Sequence, residues 1–301
     1  MSDTPTLFCF GLGYTAGALV QRLRAQGWSV RGTSRSEATC AQWADQDVAA
    51  WIFDRDRPLA NPAAAFDGVS HILSSVPPDA TGDPVIDCHG ADIAALAPQL
   101  KWVGYLSTTG VYGDRSGGWV DETADRHPTT ERGARRVVAE DGWCQLWRDH
   151  SGRDGGVPVH LFRLAGIYGP GRNPLATAKR GQARRIVKPG QVFNRIHVDD
   201  ICAVLEASIA RPNPGAAYSL CDDEAAPPQD VVTFACDLLG IEPPPEIPFD
   251  QADLSDMARS FYAENKRVAN ARIKRELGIT LTYPDYRVGL QALFKRGDYD
   301  G

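Results

Sequence analysis

The sequence predicts a doubly wound parallel α/β sheet with a smaller C-terminal lobe, and two patterns support this fold class. Short apolar runs alternate with helix-length segments, and in chain order the runs are TLFCF, WSVRGTS, WIFD, HILSSV, KWVGYLST, VPVHLFRLAG and NRIHV. Strands separated by helices form βαβ units, and the strands of a parallel sheet are apolar throughout because both faces are buried. From Gly169 onward, frequent prolines and glycines mark loops, which indicates the smaller, less regular lobe.

The helices are predicted from apolar residues that recur on one face. The first helix follows the first strand, runs through Ala18, Leu19, Val20 and Leu23, and should end at Gly27. Near the end of the chain, AENKRVANARIKRELGI is predicted to be helical, with Gly278 as its C-terminal cap. With 301 residues the chain has room for two parts. We expect the sheet domain to comprise residues 1–170 and 192–222, and the smaller lobe residues 171–191 and 223–301.

Composition and charge exclude several classes of protein. The net charge of −6 argues against a nucleic-acid binder, which normally has a basic surface. The start of the chain lacks the pattern of a signal peptide, and no apolar run reaches the roughly 18 residues of a membrane span, so we expect a cytoplasmic protein without a membrane partner. The seven cysteines are scattered without metal-ligand spacing, which predicts reduced thiols and no metal site.

A glycine-rich turn follows the first strand in GLGYTAGAL, where the spacing is Gly11-x-Gly13-x-x-Ala16. In a dinucleotide-binding turn the first glycine makes the bend, the second lets a pyrophosphate approach the backbone, and the small third residue packs the helix on the strand. The helix that begins near Tyr14 and Thr15 would direct its N–H groups at the phosphates. The position after the first strand favours a Rossmann dinucleotide site, and the alternative is an ordinary βα turn.

The end of the second strand favours NADP over NAD. NAD sites place an acidic residue there to bind the ribose 2′-hydroxyl, whereas an arginine accommodates a 2′-phosphate. In SVRGTSRS this position has no acid and carries Ser34 and Arg35. The alternative is that Arg35 is a surface charge. Asp54, at the end of WIFD, is a candidate for contacting the adenine amino group or, equally, for capping a turn.

Four later segments carry a family resemblance: LSTTGVYGD, FRLAGIYGPGRNPL, NRIHVDDICAVLEA and AYSLCDDEAAPP. In this order after the glycine turn, they resemble the extended short-chain dehydrogenase/reductase superfamily, in its NAD-dependent epimerase/dehydratase group. The C-terminal LTYPDYRVGLQAL and the short G-x-G-Y turn are similar to an atypical branch, the YeeZ-like proteins. The resemblance covers nearly the whole chain.

The resemblance implies roles for individual residues. It assigns Thr108 as the hydroxyl that polarises the substrate oxygen. It places Ser74, Ser75 and Val76, after the fourth strand, along the cofactor's ribose and diphosphate. It places Leu164, Ala165 and Gly166 beside the nicotinamide. The family's HVDD matches His197, Asp199 and Asp200, which we interpret as mainly structural, because buried polar groups normally have partners.

The catalytic helix departs from the family pattern. Family members carry P-x-x-x-Y-G-x-x-K-x-x-x-E after VYG, and here Pro128, Gly133 and Glu140 keep that frame in PTTERGARRVVAEDGW. Arg132 then stands at the catalytic tyrosine and Arg136 at the lysine. Arginine cannot act as a general acid or base near neutral pH. Arg136 could still bind the cofactor ribose, whereas Arg132 cannot replace a phenol.

A substitute acid must come from elsewhere, if there is one. Tyr112 and Tyr168 follow two strands near the expected cofactor, and we keep Tyr112 as the candidate proton donor beside Thr108. Between the YGPGR and HVDD segments lies a basic stretch with five cations, namely Lys179, Arg180, Arg184, Arg185 and Lys188. It predicts either an anionic substrate with a phosphate or carboxylate, or a solvated charged loop.

Two functional hypotheses remain open. The first is an NADP-dependent oxidoreductase or epimerase that acts on a small molecule, possibly a sugar nucleotide, with an atypical active site. The second is a non-catalytic NADP(H) sensor that keeps the cofactor site and lacks the catalytic pair. The helix from Thr130 to Asp149 is apolar on most sides, which predicts that it packs on the sheet and also on a partner subunit of a homodimer.

Overall fold

The structure, a computed structural model, describes residues 4–149 and 156–299. Within these ranges the strands are β1 Thr6–Phe10, β2 Ser29–Ser34, β3 Ala49–Ile52, β4 His71–Ser74, β5 Trp102–Thr108, β6 Trp119–Val120, β7 Val159–Leu164, β8 Gly166–Tyr168, β9 Arg185–Val187, β10 Arg195–His197, β11 Ala217–Leu220, β12 Glu246–Pro248 and β13 Arg267–Val268.

Helices alternate with the strands through most of the same ranges. They are α1 Tyr14–Ala25, α2 Glu37–Ala44, α3 Pro62–Ala65, α4 Pro84–Ala95, α5 Glu131–Asp149, α6 Pro174–Lys179, α7 Val198–Ala210, α8 Pro228–Leu239, α9 Asp256–Tyr262, α10 Ala271–Leu277 and α11 Tyr286–Arg296. Short 3₁₀ turns cover Thr109–Tyr112 and Phe249–Gln251. No helix in the described part of the chain is both long enough and apolar enough to cross a membrane.

The predicted doubly wound parallel sheet is confirmed. Seven strands form it in the order β11-β7-β5-β4-β1-β2-β3, and helices flank it. The pairs of β1 with β2 and with β4 are parallel, as are β2 with β3 and β4 with β5. From β1 the chain adds β2 and β3 on one side and then β4 and β5 on the other side, so the topological switch point lies between β1 and β4. Sheets of this class bind their ligands at this point.

Two strand assignments differ from the sequence expectation. The NRIHV run forms β10, but β10 pairs with β8 in a separate two-stranded sheet. The seventh strand of the main sheet is instead β11, in the AYSL segment, which the periodicity did not single out. Short apolar runs show that a strand exists, but its partner depends on contacts that are distant in sequence.

The C-terminal helix is shorter than predicted. Only α10 is helical, and it ends at Gly278, whose φ of 65° confirms the predicted left-handed cap. The preceding ENKRV segment is extended instead, and β13 within it pairs with β6. Asn265 explains the difference, because its backbone N–H and C=O and its side chain bond residues 114–117 and 190–192, which a helix could not reach.

Backbone contacts divide the chain into two compact units. The first comprises Met1–Thr108, Arg135–Arg163 and Leu205–Tyr218, and the second comprises Thr109–Ala134, Leu164–Val204 and Ser219–Gly301. The domain boundaries expected from the sequence separate a cofactor-binding domain from a substrate-binding lobe. A division by backbone contacts does not test that separation, so those boundaries stay a prediction.

Close packing in the second unit depends on a glycine of α11. The Tyr168 side chain is buried against this helix, and a Cβ at Gly289 would overlap the Tyr168 hydroxyl. Asp200 links two segments of the same unit. Its carboxylate accepts the backbone N–H groups of Thr282 and Tyr283 at 2.8 and 3.0 Å. These contacts hold the C-terminal segment on the HVDD region.

Candidate functional site

The glycine turn between β1 and α1 has the geometry of a ligand cradle. Gly11 has a φ of 85°, and a Cβ there would approach the Ser75 Oγ to 2.7 Å, so a larger residue would be strained. Gly13 is the N-cap of α1, and a Cβ on it would meet no atom within 4 Å. Because Gly13 provides no side-chain cap, open space lies beside the positive end of this helix.

The other residues of the turn hold the helix in place. Ala16 is completely buried and Thr15 is 7% exposed, which confirms that α1 packs tightly on the sheet, whereas Tyr14 is 37% exposed. The Gly11 N–H donates to Thr33 Oγ1 at 3.0 Å, and the Leu12 N–H donates to the Thr33 carbonyl at 2.7 Å. The turn is therefore fixed by β2 before any ligand binds.

The end of β4 lies directly beside this turn. The Ser75 hydroxyl donates to the Gly11 carbonyl at 2.6 Å, and the Ser75 N–H donates to the Phe10 carbonyl. Ser74 is fully buried, and its Oγ has no hydrogen-bond partner among residues 4–149 and 156–299. Val76 is partly buried against the core of the first unit. The structure thus brings Ser74–Val76 and the glycine turn together at one edge of the sheet.

The tip of β2 carries exposed polar groups. Ser34 is its last residue, and the Ser34 Oγ accepts the Ser36 N–H at 3.2 Å. Arg35, which follows Ser34, is exposed. Asp54, in the turn after β3, accepts two backbone N–H groups and the guanidinium of Arg57, which holds the pKa of Asp54 below its usual range.

The inner face of α5 is closed by hydrogen bonds to β5. Arg136 is 9% exposed, and its Nη1 donates to the Leu106 carbonyl at 2.7 Å and to the Tyr105 hydroxyl at 3.0 Å. The guanidinium also lies 5.6 Å from the centroid of the Tyr105 ring. Burial raises the pKa of the Tyr105 phenol. The arginine at the lysine position therefore has one nitrogen engaged by the strand that leads to Thr108.

One turn further along α5 lies a buried ion pair that the sequence analysis did not identify. Glu140 is completely buried, and Arg163 donates to both of its oxygens at 3.1 and 2.8 Å. The Ser107 hydroxyl donates to Glu140 Oε1 at 2.6 Å. The conserved spacing in the family frame located Glu140, but its partners on β5 and β7 could not be inferred from one helix. Thr108, half-buried at the end of β5, follows this network directly.

The start of α5 is described within the second unit. A Cβ at Gly133 would approach the Gly110 carbonyl to 2.9 Å, which explains the glycine in the family frame. Arg132 is exposed, and its guanidinium lies 5.8 Å from the centroid of the Phe261 ring of α9. The side chain at the tyrosine position thus faces an aromatic ring instead of presenting a phenol.

Tyr112 is fully buried in the second unit. Its hydroxyl is 2.8 Å from Ser219 Oγ, and the Ser219 N–H donates to Glu122 Oε1. A proton donor must come within hydrogen-bond reach of its substrate. In this conformation the Tyr112 phenol is enclosed by the protein, so its role as the acid stays a prediction that requires access the structure does not display.

The remaining family segments are ordered in the second unit. Leu164 and Ala165 are buried and Gly166 is exposed, and the Ala165 N–H donates to the Leu220 carbonyl at 3.0 Å. His197 is fully buried, and its Nδ1 accepts the Asp199 N–H at 3.1 Å. Burial lowers the pKa of His197 to about 4, so the ring is neutral at physiological pH. These bonds agree with the structural interpretation of HVDD.

The basic stretch is tied to the second unit by hydrogen bonds. Arg184 Nη1 donates to the Asp253 carbonyl at 2.6 Å, Arg185 Nη1 donates to the Pro244 carbonyl, and Lys188 Nζ donates to the Tyr262 carbonyl. Three of its five cations are therefore used to cap carbonyls. Lys179 and Arg180 are exposed. The sequence analysis also missed Lys266, which is 7% exposed and donates to the Gly113 carbonyl and to Glu264.

Comparison with known proteins places this geometry in a family. A solved structure of a conserved protein of unknown function from Silicibacter pomeroyi DSS is 52% identical, with a TM-score of 0.88 over 97% of this chain and 99% of that chain. The chain belongs to the same family as this protein. No protein-family model matches the chain.

More distant relatives agree with the predicted resemblance. Protein YeeZ of Escherichia coli (strain K12) is 26% identical over 291 residues, which is 91% of this chain and 95% of YeeZ. The dTDP-glucose 4,6-dehydratase of Bacillus anthracis str. Ames, solved in complex with NAD, is 15% identical with a TM-score of 0.76 over 99% of this chain and 97% of the dehydratase. The structural neighbours of this chain are NAD-dependent epimerase/dehydratase and short-chain dehydrogenase/reductase proteins, and YeeZ is a homologue. These findings confirm the resemblance that the sequence predicts.

Proposed function

We propose that this protein binds a nicotinamide dinucleotide, with NADP preferred, and acts as an oxidoreductase or epimerase on a small molecule. One observation carries the proposal. Gly13 leaves open space at the N-terminus of α1, at the point where the sheet order reverses. A helix N-terminus without a side-chain cap, beside a turn that excludes side chains, suits a pyrophosphate.

The proposed cofactor contacts extend from this cradle along the sheet edge. The pyrophosphate would lie at Gly11, Gly13, Tyr14, Thr15 and Ala16, and the adenosine ribose at Ser34 and Arg35. Asp54 lies in the adjacent turn, where contact with the adenine and capping of the turn are the two alternatives. Ser74, Ser75, Val76, Arg136, Leu164, Ala165 and Gly166 are the proposed contacts of the second ribose and nicotinamide. The buried, unpartnered Ser74 Oγ supports this assignment, because buried hydroxyls normally have a partner. The NAD bound to the related dehydratase supports the choice of nicotinamide.

The bound cofactor would accept or donate a hydride, and the chain's own residues would orient the substrate and move its proton. Thr108 would donate a hydrogen bond to the substrate oxygen as charge develops there. The network of Ser107, Glu140 and Arg163 would keep the end of β5 fixed. Tyr112 stays the proposed proton donor, and Arg136 would provide fixed positive charge next to Leu106.

The substrate is proposed to be anionic or a sugar nucleotide. The related dehydratase is named for a sugar nucleotide, which supports this class. In the second unit, Lys179, Arg180 and Arg184 are the exposed cations of the basic stretch. Guanidinium and ammonium groups bind phosphates and carboxylates by charge-assisted hydrogen bonds.

A second candidate function, an NADP(H) sensor without chemistry, is favoured by one observation. The two positions of the catalytic pair carry arginines, and their side chains contact Phe261 and β5. Neither guanidinium can give or take a proton near neutral pH. A protein with these residues could bind the cofactor and report its redox state.

Cofactor titration and turnover distinguish these functions. Binding of NADPH and NADH is measured by isothermal titration calorimetry, and we expect NADPH to bind at least about tenfold more tightly. The protein is then incubated with NADP and a panel of sugar nucleotides and small alcohols, while the absorbance of the reduced nicotinamide and the appearance of epimers are followed. Turnover that Thr108→Ala reduces by about a hundredfold supports the enzyme.

The outcomes separate the alternatives clearly. Tight cofactor binding without turnover of any panel member supports the sensor. The absence of binding for both nucleotides contradicts the proposal as a whole. Turnover that Thr108→Ala leaves unchanged means that the family's hydroxyl role does not apply to this chain.

A further inference from the structure

The turn after β3 carries a cation that lies beside the tip of β2. The two strands are parallel, with Ser34 paired to Ile52, and the Phe53 N–H donates to the Ser34 carbonyl at 2.9 Å. The residues that follow Phe53 are therefore placed next to the residues that follow Ser34. Arg57 belongs to this turn, and the glycine motif and the second-strand rule gave no reason to select it.

The Asp54 carboxylate fixes this turn with both of its oxygens. Its Oδ1 accepts the backbone N–H groups of Asp56 and Arg57 at 3.1 and 3.0 Å. Its Oδ2 accepts from Arg57 Nε at 2.9 Å and from Nη2 of the same guanidinium. Of the two roles that the sequence left open for Asp54, these bonds favour the capping of a turn.

The guanidinium of Arg57 is held at the second-strand tip. Its Nη2 also donates to the Arg35 carbonyl at 3.1 Å, and 51% of the Arg57 side chain is exposed. Arg35 itself is exposed. Two arginine side chains thus originate from the same short stretch of surface, and one of them is already oriented by Asp54.

We propose that Arg57 and Arg35 together recognise the 2′-phosphate of NADP, with Asp54 as a positioning residue that orients Arg57. This inference rests on the proposed dinucleotide function and adds its specificity determinant. A phosphate monoester carries close to two negative charges and several acceptor oxygens, so the Arg35 guanidinium and Arg57 Nη1, which the Asp54 bonds leave available, can both donate to it. The hydroxyl of NAD at the same position offers neither charge nor several acceptors.

Three carboxylates also act on Arg57, namely Asp54, Asp56 and Glu37. Asp54 is engaged by the turn itself, and the other two are exposed, so salt screens their repulsion of a phosphate at physiological ionic strength. A direct charge-assisted hydrogen bond is short-ranged and is screened much less. The arrangement therefore predicts that phosphate recognition depends on contact with the two guanidinium groups and not on a generally basic surface.

The full-length protein is titrated with NADPH, NADH, 2′,5′-ADP and 5′-AMP, and the dissociation constants are compared between variants. Arg57→Ala and Arg35→Ala should each weaken NADPH and 2′,5′-ADP by about tenfold, while NADH and 5′-AMP change less than about twofold. Arg57→Lys keeps the positive charge but loses the planar guanidinium that Asp54 orients, and should give an intermediate loss of NADPH affinity. Arg24→Ala, at the end of α1 in the same unit, is the matched control and should leave all four constants unchanged.

Asp54→Asn tests the positioning role separately. It should weaken NADPH binding more than NADH binding, because Asp54 orients the Arg57 guanidinium. An equal loss for both nucleotides would assign Asp54 to the adenine and overturn this role. The inference is also overturned if Arg57→Ala leaves NADPH binding unchanged, or if the unmodified protein binds NADPH and NADH equally. If the unmodified protein binds neither nucleotide, the proposed function itself fails.

Discussion

Two regions of the first unit treat their polar groups in opposite ways. At the glycine turn, Gly13 leaves open space at the end of α1, and the nearby Arg35 is exposed. On the inner face of α5, Arg136 and Glu140 are buried and bonded to the sheet. Both regions carry family motifs, but in the second one the charged side chains donate to, or accept from, groups of the sheet.

The difference teaches that an open turn and a closed helix face are built from different residues. A turn that must admit a ligand is built from glycine and held from behind by Thr33 and Ser75. A helix whose charges point inward needs partners for them, because an unpaired buried charge is costly. Arg136 and Glu140 have such partners.

The largest expected effect concerns the closed face. Glu140→Ala should lower the free energy of unfolding by about 3–5 kcal/mol, because Arg163 would remain buried without its carboxylate. Urea denaturation followed by circular dichroism measures this loss. Asp141→Ala, on the exposed side of the same helix, is the control and should change stability by less than about 1 kcal/mol. A loss below that value for Glu140→Ala would show that the inner face is not held by this ion pair.

The open turn should respond in the opposite sense. Gly13→Val should weaken NADPH binding by about a hundredfold, since the added methyl groups would occupy the space beside the helix terminus. Its φ of −92° is accessible to valine and no atom lies within 4 Å of the new Cβ, so the melting temperature should stay nearly unchanged. Calorimetric titration and thermal denaturation measure the two properties. A variant that binds normally, or one that unfolds, would break the contrast between the two regions.

A buried carboxylate in the second unit sharpens the comparison, because one of its two oxygens lacks a hydrogen-bond partner in the described residues. Asp222 is 3% exposed, and its Oδ2 has no hydrogen-bond partner in the described residues, whereas Oδ1 accepts the Glu224 N–H. Burial raises the pKa of Asp222 from 3.8 to about 8, against an opposing effect of the Arg195 guanidinium, while Asp285 and Glu224 raise it further. The carboxyl group is therefore expected to be neutral in the folded protein at pH 7.

This pKa gives stability a definite pH dependence. Between the unfolded and folded pKa values, 3.8 and about 8, the folded protein holds a proton that the unfolded chain releases. The contribution of Asp222 to stability therefore falls as pH rises, by at most about 1.4 kcal/mol per pH unit. Asp222→Asn should remove this slope and become more stable than the unmodified protein above pH 8, as measured by urea denaturation. An identical pH profile for both proteins would contradict the raised pKa.

Sequence patterns located the elements that local spacing determines. The first helix, the left-handed cap at Gly278 and the parallel sheet followed from periodicity and turn chemistry. The position of the glycine turn followed from motif spacing alone. These features depend on residues within one or two turns of the chain.

Contacts between distant segments could not be inferred in the same way. The extended ENKRV segment has a helical composition, but Asn265 is bonded to two loops that lie far from it in sequence. Arg57 lies beside Arg35 only because β3 pairs with β2. The Glu140 partner Arg163 likewise comes from another strand. In each case the pairing of strands decides which charges meet, and one sequence does not encode that pairing in a local pattern.

The contact between Tyr168 and Gly289 makes two positions interdependent across evolution. Because any Cβ at 289 would overlap the tyrosine hydroxyl, a relative with alanine or serine at 289 should carry a smaller side chain at 168. The pair thus joins one residue of the YGPGR motif to one residue of the last helix. Relatives that keep both Tyr168 and Gly289 should keep the same approach of α11 to β8, even where the overall sequence identity is low.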